Sequence, residues 1–154
     1  MISTAVISNC GLYRYELRKI WQPKNRWACW IMLNPSTADA NIEDPTIRRC
    51  MGFAEKWGYG GITVGNIFAY RATNPKDMLA ADDPIGPENN LYLESLSLEA
   101  ALTACAWGNY GIYLDRAKEV IKLLTKPCCL GLTKSRQPKH PLYLRKDSKR
   151  EIFK

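Results

Sequence analysis

One histidine occurs in the 154 residues, His140, and it sits in the run Lys139-His140-Pro141-Leu142-Tyr143-Leu144. Far upstream, the apolar run Trp27-Ala28-Cys29-Trp30-Ile31-Met32-Leu33 stops at Asn34-Pro35-Ser36-Thr37. A carboxamide carries both donors and an acceptor, and imidazole is the ring that changes charge near neutral pH. Asn66 closes a second apolar run, and Trp107-Gly108 closes a third. Two carboxamides and an imidazole brought together suit the reading of a flat heterocycle. They also suit stabilisation of a leaving base, with neutral His140 donating to an oxygen that gains charge.

The elements that must position these groups follow from periodicity and punctuation. Thr4–Ile7 and the alternating Tyr13–Arg18 predict an N-terminal β-hairpin around Asn9-Cys10-Gly11, one face polar. Residues 27–33 and 62–68 are near-continuous apolar strands of the kind buried on both faces. Asp44 caps a helix that Pro45 begins and that runs to about Trp57, where Gly58-Tyr59-Gly60-Gly61 ends it. A polar segment spans Arg71 to Pro84, and Pro87 opens a leucine-rich helix. A third strand at 103–107, a helix over 112–124 and a fourth strand at 128–132 complete the pattern. Alternating strands and helices imply a parallel sheet with right-handed crossovers, whose carboxyl edge gathers Asn34, Asn66, Trp107 and His140. The aromatics Trp27, Trp30, Phe53 and Trp57 are expected in the core.

The totals narrow the function classes. One α/β domain over 1–154 fits the length, and a composition that is 46% hydrophobic with five Trp is globular. No apolar stretch approaches the length of a membrane span. Met1-Ile2-Ser3-Thr4-Ala5 has no basic region before an apolar core, so the expected compartment is the cytoplasm. None of the six cysteines forms C-x-x-C, and with one histidine the pattern carries no metal site or cofactor. Residues 1–125 hold thirteen basic and thirteen acidic side chains, whereas 126–154 hold nine against two. The whole net charge of +7 therefore lies in that basic C-terminal segment, which favours a polyanionic partner, DNA above all.

In the order of these strand ends the chain resembles the uracil-DNA glycosylase superfamily. Met32-Leu33-Asn34-Pro35 matches a first motif that ends strand one as Gly-x-Asn-Pro in the mismatch-specific branch. Val64-Gly65-Asn66 matches the base-reading Asn, Trp107-Gly108 the third strand's end, and His140-Pro141-Leu142-Tyr143-Leu144 part of the closing His-Pro-Ser-Pro-Leu. Over nearly residues 12–145 the chain looks more closely like an uncharacterised bacterial and phage family, through Met-Leu-Asn-Pro-Ser-Thr-Ala-Asp, Asp-Pro-Thr-Ile-Arg-Arg-Cys, Trp-Gly-Tyr-Gly-Gly and His-Pro-Leu-Tyr-Leu.

The superfamily resemblance implies a three-layer α/β fold: a four-stranded parallel sheet flanked by helices, here with the added hairpin. It implies an N-glycosidase that hydrolytically releases an unusual or modified base from DNA. Asn34 would position the attacking water and His140 would stabilise the departing base. Asn66 would read the base, with Pro35, Ser36 and Trp107 beside it. Tyr143 or Leu144 would wedge into the gap left by a flipped nucleotide. Lys134, Arg136, Lys139 and Arg145 would hold phosphates, as would Arg48 and Arg71, with Arg49 beside them. Met32 departs from the motif's Gly, Tyr143 from its second Pro, and no Asp stands at the water-activating position. Two alternatives stay open: a non-catalytic nucleic-acid or nucleotide-binding module, and a glycosidase or transferase acting on free nucleosides or nucleotides.

Overall fold

A computed structural model describes residues 1–37 and 44–154. Seven strands form one sheet: β1 Ile2–Ile7, β2 Arg14–Ile20, β3 Ala28–Met32, β4 Gly61–Asn66, β5 Leu102–Cys105, β6 Pro127–Cys129 and β7 Glu151–Ile152. Their spatial order is β1-β2-β4-β3-β5-β6-β7. The pairings β1·β2, β2·β4 and β6·β7 are antiparallel, and β3·β4, β3·β5 and β5·β6 are parallel. The helices are α1 Pro45–Lys56, α2 Pro75–Leu79, α3 Asn89–Glu99 and α4 Arg116–Ile121, with 3-10 turns at Asn109–Asp115 and Pro141–Tyr143.

The expectation of a four-stranded parallel sheet flanked by helices is therefore wrong. The sheet is mixed and seven-stranded, and the described helices are few and mostly short. The expected N-terminal hairpin is present: β1 and β2 pair antiparallel, and Glu16 and Arg18 on its polar face are half-buried. Strand β2 lies between β1 and β4, so even Lys19 is buried, its Nζ donating to Ser3 Oγ at 2.7 Å. The hairpin is not a separate appendage, since β2 continues the sheet through β4. The basic C-terminus is likewise no free tail. Strand β7 pairs with β6, and Phe153 is buried against Trp107 with ring centroids 5.6 Å apart. A two-residue strand leaves no period to read.

The expected helix over 112–124 is also shortened. Leu114 and Asp115 take left-handed conformations, so a 3-10 turn breaks before α4 begins. Conversely, the polar segment holds α2, capped by Asn74 with Pro75 at its start.

Two apolar clusters cover the two faces of the sheet, as the period of two along a strand requires. Trp30 and Met32 of β3 join Ile62 and Val64 of β4 against Ile47, Cys50 and Phe53 of α1. Trp30 stacks on Trp57 at 5.8 Å. Cys29 and Ile31 face the other way, onto Leu93 and Leu96 of α3 and Ala117 and Val120 of α4. Trp27 is half-buried, with the Arg18 guanidinium 5.3 Å from its ring centre. No helix among the described residues is long and apolar enough to cross a membrane.

Candidate functional site

Strand pairing sets the site. Met32 lies beside Asn66 in the parallel β3·β4 register, so the chain leaves both strands at one edge with Asn34 close to Asn66. The third strand end is tied to the C-terminal loop: Gly108 N donates to Pro138 O at 2.8 Å and Trp107 Nε1 to Gln137 Oε1 at 2.9 Å. The Trp107 ring is fixed from above by Gly111, where an added Cβ would come within 2.2 Å of it. His140 follows two residues after Pro138. Helix α1 supplies the remaining wall from its first turn. A cleft of about 450 Å³ results, lined among others by Arg14, Asn34, Ser36, Asp44, Asn66, Trp107, His140, Leu142 and Tyr143.

The side chains present unlike faces to a ligand. Asn34 Nδ2 donates to Ala72 O at 2.9 Å and to Pro35 O at 3.1 Å. Both N–H bonds are thus used within the protein, and Asn34 offers a ligand its oxygen, an acceptor. Asn66 is the reverse case. It is 2% exposed, and its Nδ2 has no hydrogen-bond partner among the described residues. A buried donor left unpaired costs about 1–3 kcal/mol, so such a group calls for a partner from outside.

His140 is half-buried, and its Nδ1 accepts from Leu142 N at 3.3 Å. The remaining hydrogen of the neutral ring is therefore on Nε2, which makes His140 a donor. Burial holds its pKa below the ordinary 6.5, against the opposing pull of Asp44. Asp44 caps α1, Oδ1 accepting from Ile47 N at 2.8 Å, while lining the cleft.

Sequence reasoning missed Arg14. It lies between Tyr13 and Tyr15, reads as a solvent-facing strand residue, and is 4% exposed on the cleft wall. Desolvation pushes its guanidinium down to about 10, Asp44 raises it and Arg71 lowers it further. It stays charged at neutral pH. Only the β2·β4 pairing, which no local pattern announces, brings it to this edge.

Other expected residues take other positions. Pro35 is buried, and its carbonyl accepts from Ala72 N at 3.0 Å. Leu144 is 6% exposed and belongs to the core, so it is no wedge; Tyr143, 82% exposed on the rim, is free to be one. Arg71 joins two loops, donating to Gly11 O at 3.0 Å and Thr37 O at 3.1 Å. Lys134, Arg136 and Lys139 are exposed outside the cleft, and Arg145 pairs with Asp147 at 3.3 Å. Arg48 is exposed on α1 beside a second depression, and Arg49 donates to Leu144 O. Ala38 and Asp39, which close the first motif, lie outside the described residues.

Among the described residues no three His, Cys, Asp or Glu side chains gather as metal ligands. Five of the six thiols are buried. Burial pushes Cys29 up to about 12 and Cys128 to about 11, which keeps both as unreactive thiols.

Fold and site together define a mixed-sheet α/β protein with a donor-rich cleft where its parallel strands end. The chain belongs to the family described as Protein of unknown function (DUF1643), matched over residues 14–142, a span that runs from Arg14 through Asn34, Asn66 and Trp107 to Leu142. No curated protein and no solved structure matches it.

Proposed function

We propose that the protein is an N-glycosidase that releases an unusual or modified base from DNA by hydrolysis, with Asn34, Asp44, Asn66, His140 and Arg14 around the reacting nucleotide. The observation that carries this reading is the buried, unpartnered Asn66 amide donor in a cleft shared with a neutral, donating histidine. A departing base gathers negative charge on its ring nitrogen and conjugated oxygens. Donors fixed beforehand stabilise that charge more than they stabilise the resting base.

In this reading water adds to C1′ of the sugar and the C1′–N bond breaks, its electron pair remaining on the base. Asn34 Oδ1 orients the water. The Asp44 carboxylate, one oxygen of which is held by the helix cap, takes the water's proton. Asn66 Nδ2 and His140 Nε2 donate to the base, and Arg14 offsets its charge across the cleft. Tyr143 on the rim fills the space from which the nucleotide turned. The missing water-activating aspartate of the resembling superfamily thus has a substitute drawn from the start of α1.

The test is a panel of oligonucleotides, each carrying one altered base, with mass-spectrometric detection of free base and Asn34→Ala run in parallel. Release by the parent that disappears in the variant supports the proposal and names the base. Tight DNA binding without release from any member points instead to a binding module. Release from free nucleosides alone moves the substrate to small molecules.

A further inference from the structure

A second depression, of about 720 Å³, runs along the outer side of α1 and is lined by Pro45, Arg48, Arg49, Gly52, Phe53, Lys56, Leu142 and Lys146. Four of these eight side chains are cationic and none is acidic. Leu142 lines the catalytic cleft as well, so groove and cleft meet at its exposed side chain. The groove's far wall is anchored to α1: Arg49 donates to Leu144 O, and Lys56 Nζ to Lys146 O at 3.0 Å. Beyond it the Arg150 guanidinium lies 4.9 Å from the Trp57 ring centre, extending the positive surface.

The floor carries an independent sign. Gly52 occupies the middle of α1, one helical turn from both Arg48 and Lys56. A glycine inside a helix is destabilising relative to alanine. Packing does not demand it, for a Cβ built there meets no atom within 4 Å. What the missing side chain leaves is open space between two cations.

We infer that this groove is the track for the backbone of a nucleic-acid strand, whose phosphates lie on Arg48, Lys56 and Lys146 and whose next nucleotide passes Leu142 into the cleft. The inference rests on the proposed function for the nature of the polyanion. It assigns the phosphate contacts to α1 and Lys146 rather than to Lys134, Arg136 and Lys139. A charged groove that follows the backbone, joined to a pocket that takes one base, is the division of labour expected of a protein that acts on a base within a strand.

The experiment measures anisotropy of a fluorescein-labelled oligonucleotide across a salt series. It compares the parent with Arg48→Gln/Lys56→Gln/Lys146→Gln and, separately, with Gly52→Leu. Each phosphate contact contributes about 0.7–0.9 to the slope of log affinity against log salt, so the triple variant should lose roughly 2–3 from it. Gly52→Leu removes no charge and its Cβ meets no atom within 4 Å; it should melt no lower than the parent and bind more weakly by blocking the floor. An unchanged slope together with parent-like binding by Gly52→Leu overturns the inference, as does a parent that binds no oligonucleotide at low salt. Should binding and slopes behave as stated while no base is released, the groove stands and the glycosidase reading falls.

Discussion

The cleft and the α1 groove both carry cations, yet they hold them in opposite ways. In the cleft Arg14 is nearly inaccessible, and desolvation pulls its pKa down to about 10. Beside it stand one acceptor, Asn34, held by the Pro35 and Ala72 carbonyls, and one unpaired donor, Asn66, at the end of β4. In the groove Arg48, Lys56 and Lys146 are exposed and keep their hydration. Charges in water attract from a distance and tolerate many partners, whereas a charge stripped of water acts strongly on one group in one place. Under the proposed function the difference separates affinity, assigned to the groove, from chemistry, assigned to the cleft.

The comparison breaks first at His140 and Asn34. Each alanine variant should slow base release about 100- to 1,000-fold, the loss seen when one fixed transition-state donor is removed. Oligonucleotide affinity should change little, because the groove is intact. Single-turnover release and anisotropy on the same oligonucleotide check this; equal losses in both would make the cleft a binding surface only.

Arg14→Met is the next largest effect. Loss of a charge-assisted hydrogen bond should weaken binding of the released base about 10- to 100-fold, measured as product inhibition. The melting temperature measured alongside separates a loss of binding from a loss of folding. A variant that melts lower and binds the base normally would assign Arg14 to the fold.

Asp44 tests how the cleft couples to α1. Asp44→Asn keeps a good cap but removes the charge, so the His140 pKa, already low, should move lower still in an NMR titration. Asp44→Ala should shift it likewise and also cost about 1 kcal/mol of stability through the lost cap. His140 itself links stability to pH. Its folded pKa lies below the unfolded value near 6.5, so the unfolded chain binds more protons between the two. Its contribution is full above about 6.5 and is lost as pH falls through the folded pKa. In urea titrations the parent should lose stability relative to His140→Asn across that window; a constant difference would leave the imidazole unperturbed.

These residues differ in how visible they were beforehand. Asn34, Asn66 and His140 stand at ends of apolar runs or in a distinctive short motif, and local signals suffice for such positions. Strands β3 to β6 and helix α1 were legible for the same reason: buried parallel strands are continuous apolar runs, and α1 opens with a cap and a proline. Arg14 was not legible, because whether a strand residue faces water depends on what the distant parts of the chain pack over its face. The groove was hidden too. Before residue 126 the charges cancel in sum, and only folding sets Arg48, Arg49 and Lys56 against Lys146. Strand β7 is too short to announce itself, so the C-terminus read as a tail.

The finest test of the comparison is Gly52→Ala. If helix α1 served packing alone, alanine would be the better residue, since it relieves the entropy of a mid-helix glycine and fits without contact. The variant should gain about 0.4–1 kcal/mol in urea unfolding. Base release from an oligonucleotide at saturation should be unaffected, for the cleft is untouched. Affinity should drop slightly, because one methyl narrows the floor without closing it. A stabilised variant with tighter binding would mean that the strand does not run between Arg48 and Lys56, and the open floor would then need another occupant.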